Sequence, residues 1–265
     1  MIDSRSVLWL LGWATAALLL AILYLIQRRS RDATAVDAGW AGSLVLIAGL
    51  VAAFGPGELE HRLLILALAG LENLRIASLV RGRLGHGEDT RYQELRRRWR
   101  ERDREQLTFA IFYQAQALVA AVLAIPFVLI AFNRDDGLAP LEWAGVALWL
   151  VAAPLEALAD RQLKRFKADP ANKGRTMRYG LWRYSRHPNY FFQWLSWVAY
   201  AVIALAAPWG WVGLVAPAFI LYLILFVTGV KPAEEQALKS RGDDFRRYQR
   251  ETSSFIPWFP RSSTA

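Results

Sequence analysis

The sequence predicts an all-α, polytopic membrane protein with seven transmembrane helices, and three observations predict it. The composition is apolar: 55% of the 265 residues are hydrophobic, and the mean hydropathy is +0.19. Seven segments approach the length and apolarity of a membrane span. The positive charges alternate in register with those segments, as they do in multi-pass membrane proteins.

A helix needs about 20 predominantly apolar residues to cross a bilayer, because lipid cannot hydrogen-bond a bare backbone. Glu72, Asn73 and Arg75 interrupt the third segment and should face protein or a cavity, since each is costly against lipid. The first segment is predicted to be a retained helix, because no small-residue cleavage site follows it. The seven predicted spans are 7–27, 38–55, 60–80, 107–132, 139–160, 190–207 and 209–230.

Lys and Arg in short loops are retained on the cytoplasmic side of a membrane. Of the 32 Lys and Arg, 28 lie in four segments: 28–37, 81–106, 161–189 and the tail from Lys231 onward. Seven crossings place these four segments on one side, so the amino end is predicted outside and the carboxyl end in the cytoplasm. The net charge of +9 is attributed to topology and to anionic lipid headgroups, and no nucleic-acid partner is predicted.

The polar segments are predicted to belong to the same membrane domain, 1–265. The longest, 81–106, is too short and too charged to bury a core of its own. Its run QELRRRWRERDRE at 93–105 mixes both signs of charge at helical spacing and predicts a surface helix on the bilayer. The tail is amphipathic and is expected to pack back onto the inner face.

The composition excludes several kinds of site. The chain contains no Cys, which excludes disulfides, thiolate catalysis and Cys-based metal sites. Its three His residues are too scattered to predict a metal site. No strand-linked Gly-x-Gly-x-x-Gly element is present, so a nicotinamide or adenine cofactor would need a different kind of site.

The block GLWRYSRHPNY at 180–190 predicts a loop that binds a polyanion at the membrane edge. Arg forks and Tyr hydroxyls suit phosphate oxygens, and Gly180 would let the backbone approach a phosphate closely. Upstream, Asp160, Lys164 and Lys167 recur at a spacing that places them on one face if the fifth helix continues. The alternative is a solvated ion pair on a helix whose charges serve topology alone.

The pattern GLWRYSRHPNYF, preceded by ADRQLKRF and followed by an acidic pair, resembles the bacterial members of the steroid 5α-reductase family over about 107–260. VDAGW at 36–40 and RGRLGHGED at 81–89 are similar to that family too. The resemblance implies a monomeric reductase of the bacterial inner membrane. Such an enzyme uses NADPH to reduce the activated double bond of a lipophilic 3-oxo-4-ene steroid or isoprenoid. Helices within 1–132 would enclose the substrate, and 133–265 would hold the cofactor.

The resemblance carries cofactor contacts onto positions of this chain that match the family pattern. Lys167 stands where mammalian members have Arg, and Gln193 where they have Glu, so the contact geometry should differ. The matched positions are Arg81, Arg83, Asp160, Leu163, Lys167, Arg175, Asn189 and Gln193. Polar neighbours complete the predicted NADPH site: Lys164, Lys173, Tyr184, Arg186, His187, Tyr190, Glu235 and Tyr248. His187 is expected as a neutral ring that contacts the cofactor or a backbone carbonyl.

Two other functions stay open. The RHPNY block also occurs in membrane methyltransferases that use S-adenosylmethionine, such as isoprenylcysteine carboxyl methyltransferase, where it works with a Glu-Glu pair. Glu234 and Glu235 supply such a pair here. S-adenosylmethionine carries no phosphate, so the multiply basic segment favours NADPH. A non-catalytic lipid-binding membrane protein is the remaining alternative.

Enone reduction needs a hydride donor and a proton or hydrogen-bond donor at the carbonyl. The candidate donors are Asp37, Glu72 and Tyr113. A carboxylic acid in an apolar pocket can stay protonated near neutral pH, and a phenol is protonated there without any pKa shift. The alternatives are that Glu72 neutralises Arg75 and that Asp37 caps the second helix. The predicted substrate-binding residues are Trp40, Gln114 and Gln116, although the two Gln lie on different faces of their helix.

Overall fold

The structure, a computed structural model, describes residues 1–81, 87–101 and 103–261, without the side chains at 80 and 81. The described residues are helical and contain no strand. The α-helices are α1 (Arg5–Ser30), α2 (Ala35–Phe54), α3 (Leu59–Arg81), α4 (Thr90–Arg100), α5 (Glu105–Leu123), α6 (Ile125–Ile130), α7 (Pro140–Ala168), α8 (Pro188–Ala204), α9 (Val215–Tyr222) and α10 (Val230–Glu251). Single 3-10 turns lie at Pro170–Asn172, Gly180–Arg183 and Gly210–Leu214, and a π-helical turn lies at Leu223–Val227.

Five helical runs of the described residues are long and apolar enough to cross a membrane, which makes the chain a multi-pass membrane protein by length and composition. Two predicted spans, α3 and α8, are not among the five. The helix α8 has 17 residues, and α3 carries charged residues in its interior and at both ends. The five runs are Arg5–Ser30, Ala35–Phe54, Glu105–Ile130, Pro140–Ala168 and Gly210–Glu251.

Local sequence explains where several helices begin, continue or break. The helix α7 runs to Ala168, past the predicted span 139–160, so Asp160, Lys164 and Lys167 lie on one helix at a spacing that places them on one face. A helix in the polar run is confirmed, because α4 forms there and its N-cap Asp89 accepts a hydrogen bond from the amide of Arg91. The predicted span 107–132 is two helices, α5 and α6, since Pro126 lacks the amide that would continue the ladder.

The chain forms two compact units. The first unit contains Met1–Glu142 and Ile203–Ala216. Its core lies where α2 packs on α1 and α3, and where α1 packs on α5. Gly39 lies at the contact of α1 and α2, where an added Cβ would overlap the terminal methyl of Leu23 on α1.

The second unit contains Trp143–Val202 and Pro217–Ala265. Its helices α7 and α8 are joined by a hydrogen bond from Trp149 Nε1 to Tyr200 Oη, at 3.0 Å. Two small apolar clusters lie outside this helix pair. One contains Phe166, Met177 and Trp182, and the other contains Ala237, Phe245 and Tyr248.

Candidate functional site

The loop between α7 and α8 is built on the end of α7. Phe166 and Met177 pack with Trp182, and Leu163 joins this cluster from α7. The indole Nε1 of Trp182 donates to the carbonyl of Ala159 at 3.0 Å, which fixes the 3-10 turn against the helix. Leu163, a predicted cofactor contact, is therefore a half-buried packing residue of the loop.

Gly180 makes a close approach, but to a side chain of the same unit. Its φ is +61°, and an added Cβ would lie 2.5 Å from Nε2 of Gln162. The Oε1 atom of Gln162 accepts a hydrogen bond from the amide of Leu181 at 3.0 Å. The close approach that Gly180 permits in this structure is thus to the side chain of Gln162.

Replacing Gly180 by Ala is expected to destabilise the protein more than replacing Gly174. Gly174 also has a positive φ, +77°, but nothing lies within 4 Å of its added Cβ. The left-handed backbone costs both Ala variants about 1–2 kcal/mol, and Gly180→Ala also loses the Gln162 hydrogen bond, about 1 kcal/mol. Thermal unfolding measures the difference. Equal losses in the two variants would contradict this role of Gln162.

Glu234 on α10 holds the Arg-His pair of the loop. Its Oε1 accepts a hydrogen bond from Arg186 Nε at 2.7 Å and lies 3.2 Å from His187 Nε2. Arg186 Nη1 also donates to the carbonyls of Gln249 and Thr252, at 3.1 and 2.6 Å. His187 thus lies against a carboxylate in this structure. Arg186 and His187 therefore hold the loop to α10 through Glu234.

Three tyrosines of the predicted site also contact protein. The hydroxyl of Tyr248, which is 2% exposed, donates to the carbonyl of Trp182. The ring of Tyr190 stacks on His187 at 5.5 Å with an interplanar angle of 7°. Tyr184 packs edge to face on Phe259 at 6.1 Å. The three tyrosines therefore pack within the loop and its neighbouring segments. Glu235, another predicted cofactor contact, is exposed.

Asn189, on the first turn of α8, has an unused acceptor. Its Nδ2 donates to Asp160 Oδ1 on α7 at 3.2 Å. Its Oδ1 is buried and has no hydrogen-bond partner among the described residues. A buried acceptor without a donor costs about 1–3 kcal/mol. The half-buried Gln193 follows one turn later on the same face of α8. This position is suited to a ligand that brings a hydrogen-bond donor.

Cationic side chains lie exposed on the same unit. Lys164 and Lys167 follow Asp160 along one face of α7, with Lys167 about 10 Å further along the axis. Within the described part of the chain, Lys173 and Arg175 form no ion pair with a carboxylate. Positive charge that no carboxylate neutralises attracts an anionic ligand. Of the other predicted cations, the side chain of Arg81 and all of Arg83 lie outside the described residues.

Two buried donors lack acceptors in the first unit. Tyr113 is 0% exposed, and its hydroxyl has no hydrogen-bond partner among the described residues. The Nε1 atom of Trp40 is buried and unpartnered in the same way. Glu72 is 4% exposed. Gln114 is exposed and donates to the carbonyl of Ala17 at 3.3 Å, while Gln116 is half-buried.

Asp37 is engaged by α4. Its carboxylate accepts hydrogen bonds from Tyr92 Oη at 2.5 Å and from Arg91 Nη2 at 2.8 Å. Burial and the charge of Asp37 raise the pKa of Tyr92 well above its ordinary value, so the phenol keeps its proton and donates. The position before α2 that a cap would take is Thr34, so Asp37 is a residue of the first turn. These contacts make Asp37 an ion-paired anchor for α4, and it is not the cap of α2.

Sequence reasoning missed Arg96, which is 7% exposed. Its guanidinium donates to Glu88 at 2.7 Å, to Glu105 at 2.6 Å and to Gln27 at 3.0 Å, and it lies over the ring of Phe109 at 4.5 Å. Helical spacing offered a signal. Position 96 falls on the same face as Tyr92 and Trp99, the aromatic residues of α4.

The comparisons with known proteins give one match. No curated protein and no solved structure matches the chain. A protein-family model described as "Protein of unknown function (DUF1295)" matches residues 23–252, which is most of the sequence. The chain therefore belongs to the DUF1295 family of proteins of unknown function.

Proposed function

We propose that the protein is an NADPH-dependent membrane reductase that transfers a hydride to the activated carbon–carbon double bond of a lipophilic enone. The observation that carries this proposal is the buried amide oxygen of Asn189, which has no partner in the described chain, in a unit that also exposes the unneutralised cations Lys173 and Arg175. A nicotinamide nucleotide matches both features. Its hydroxyl and amide groups can donate a hydrogen bond to Asn189 Oδ1, and its anionic phosphates can bind the exposed cations.

The residues that fit NADPH divide by chemistry. Lys164, Lys167, Lys173 and Arg175 are proposed to bind phosphate oxygens, Arg as a bidentate fork and Lys as a point charge. Asn189 and Gln193 are proposed to orient the ligand through their amides, with Asp160 fixing Asn189. When bound, NADPH supplies the hydride. The chain itself binds the phosphates, orients the nucleotide and excludes water from the reacting atoms.

In the first unit, the buried hydroxyl of Tyr113 and the buried indole NH of Trp40 have no acceptor among the described residues, and a substrate with a carbonyl oxygen would supply one. We propose that Tyr113 donates a hydrogen bond or proton to the enone oxygen and that Trp40 contacts the substrate. Negative charge that develops on that oxygen is stabilised by a donor already in place. Glu72 is a second candidate donor, whereas Asp37 is assigned to α4. The proposal includes seven spans, with α3 and α8 added to the five apolar runs, and the amino end outside the bacterial inner membrane.

A methyltransferase that uses S-adenosylmethionine is the second candidate, and one observation favours it. Glu234 contacts both Arg186 and His187, so the residues shared with that enzyme class lie together. The same contacts satisfy these groups within the protein. S-adenosylmethionine offers a single carboxylate and no phosphate, so it accounts for fewer of the exposed cations on 164–175 than NADPH does, and for that reason we rank the reductase first.

Changing Arg175 to Ala is expected to weaken NADPH binding. A charge-assisted hydrogen bond contributes about 1.5–3 kcal/mol, so affinity should fall about 10- to 150-fold. The matched control is Arg165→Ala, which removes an exposed cation of α7 that lies off the face of Asp160 and Lys164. Isothermal titration of both variants in nanodiscs measures the effect. Normal NADPH affinity in Arg175→Ala would remove this loop from the site.

A further inference from the structure

The tail that follows α10 turns back along the loop before α8. The amide of Arg186 donates to the carbonyl of Ser253 at 2.8 Å, and the amide of Trp258 donates to the carbonyl of Tyr184 at 2.9 Å. Between these bonds, the hydroxyl of Ser185 donates to the carbonyl of Phe255 at 2.8 Å. The tail is thus fixed to the loop by its backbone from 253 to 258.

The tail also reaches the first two turns of α8. The ring of Phe255 lies 5.6 Å from Phe191 and 5.9 Å from Trp194. The helix α8 is one of the predicted spans, and Pro188 begins it. Residues one and two turns into a span lie near the membrane–water interface, where Trp and other aromatic residues concentrate. The contacts of Phe255 therefore place the tail beside the first two turns of α8, at the depth of the membrane–water interface.

Beyond Phe255 the tail exposes large apolar side chains. Ile256, Trp258 and Phe259 are 61, 70 and 76% exposed. They belong to a non-helical segment that contains two prolines and follows a polar helix, so they are not the lipid-facing side of a spanning helix. Exposed apolar groups clustered in this way mark an interaction surface.

Arginines lie next to this apolar cluster along the chain: Arg183 precedes Tyr184, whose ring packs on Phe259, and Arg261 follows Phe259 by two residues. Arg183, Arg250 and Arg261 are exposed, and none of the three forms an ion pair with any described residue. Apolar and aromatic side chains beside unpaired cations are complementary to a bilayer surface, where anionic headgroups lie above acyl chains. The cluster lies beside α8, a predicted membrane span, and for that reason we favour lipid over a protein as its partner.

We propose that the tail Phe255–Phe259 is an interfacial anchor that inserts Ile256, Trp258 and Phe259 into a bilayer containing anionic lipid. Insertion holds the tail in place, and the backbone bonds of the tail then hold the loop 184–186. The anchor is independent of which ligand the second unit binds, because its contacts involve only the tail, the loop and α8.

Site-directed spin labelling tests the anchor, because the chain has no Cys and a single introduced Cys is labelled uniquely. The variant is Phe259→Cys with a nitroxide label, in nanodiscs made of zwitterionic lipid mixed with an anionic lipid. The matched control is Asp243→Cys on α10, whose side chain is 94% exposed. Collision of each label with oxygen, which partitions into lipid, is compared with collision with a water-soluble nickel complex.

The label at 259 is expected to show an oxygen-to-nickel accessibility ratio several-fold above that at 243. A ratio at 259 equal to that at 243 would place the tail in water and overturn the proposal. Low accessibility to both reagents would also overturn it, because the label would then be covered by protein. A ratio at 259 that is unchanged in purely zwitterionic discs would overturn the requirement for anionic lipid.

Discussion

Replacing Arg96 by Met is expected to destabilise the protein by about 3–5 kcal/mol, because it leaves the buried carboxylate of Glu88 without its cation. The side chains of Arg96 and Glu88 are each 9% exposed, and the pair is joined at 2.7 Å. Met keeps most of the volume over Phe109 but supplies no donor. The lost interactions join α4 to the ends of α1 and α5, so this corner of the first unit should open first.

Arg98→Met is the matched control for Arg96→Met. Arg98 is two residues along the same helix, 61% exposed, and paired with Glu94 at 2.8 Å. An exposed pair of this spacing contributes about 0.3–0.5 kcal/mol. Thermal unfolding of both variants in the same nanodiscs measures the contrast. Similar losses in the two variants would contradict the assignment of Arg96 as the anchor of α4.

Replacing Tyr113 by Phe is expected to slow turnover about 100-fold or more while leaving the protein as stable as the wild type or more so. A positioned proton donor typically contributes a factor of about 10²–10⁴. The hydroxyl of Tyr113 has no partner in the described structure, so its removal breaks no protein hydrogen bond and relieves an unsatisfied buried group. A structural tyrosine would show the opposite pattern, with lower stability and normal turnover.

The control for Tyr113→Phe is Tyr24→Phe. The two rings are neighbours, with centroids 6.0 Å apart, and Tyr24 is only half-buried. NADPH oxidation with an enone probe, such as a 3-oxo-4-ene steroid, measures turnover, and isothermal titration checks that NADPH affinity is unchanged. Normal turnover by Tyr113→Phe would exclude Tyr113 as the donor and leave Glu72 as the candidate.

Helical periodicity made much of the fold predictable. The mixed charges of the polar run predicted α4, and the apolar pattern predicted the first part of α7, which continues beyond the predicted end at Asp160. The interruption between α5 and α6 was harder to predict, since the apolar pattern of 107–132 continues across Pro126. Hydropathy is averaged over many residues, so it does not reveal a helix break that depends on the single backbone amide that Pro126 lacks.

The site was less predictable because the same residue types serve two purposes. Arg186 and His187 suit a phosphate as well as they suit a carboxylate, and only the fold brings Glu234 to them across 47 residues of sequence or more. Arg96, Arg97 and Arg98 are consecutive, but of the three only Arg96 is buried. Each residue is rotated by about 100° around the helix axis relative to the one before it, so the composition of the run does not tell which arginine faces the protein. The return of the tail along the loop rests on backbone bonds, which leave no signal in side-chain type.

The central claim is that the second unit binds a phosphorylated nucleotide, and equilibrium titration of the purified wild-type protein in nanodiscs tests it most directly. The account predicts saturable NADPH binding with a dissociation constant in the range of about 1 µM to 1 mM. It also predicts that Asn189→Ala weakens this binding and that S-adenosylmethionine does not compete. Saturable binding of S-adenosylmethionine together with no binding of NADPH would contradict the account.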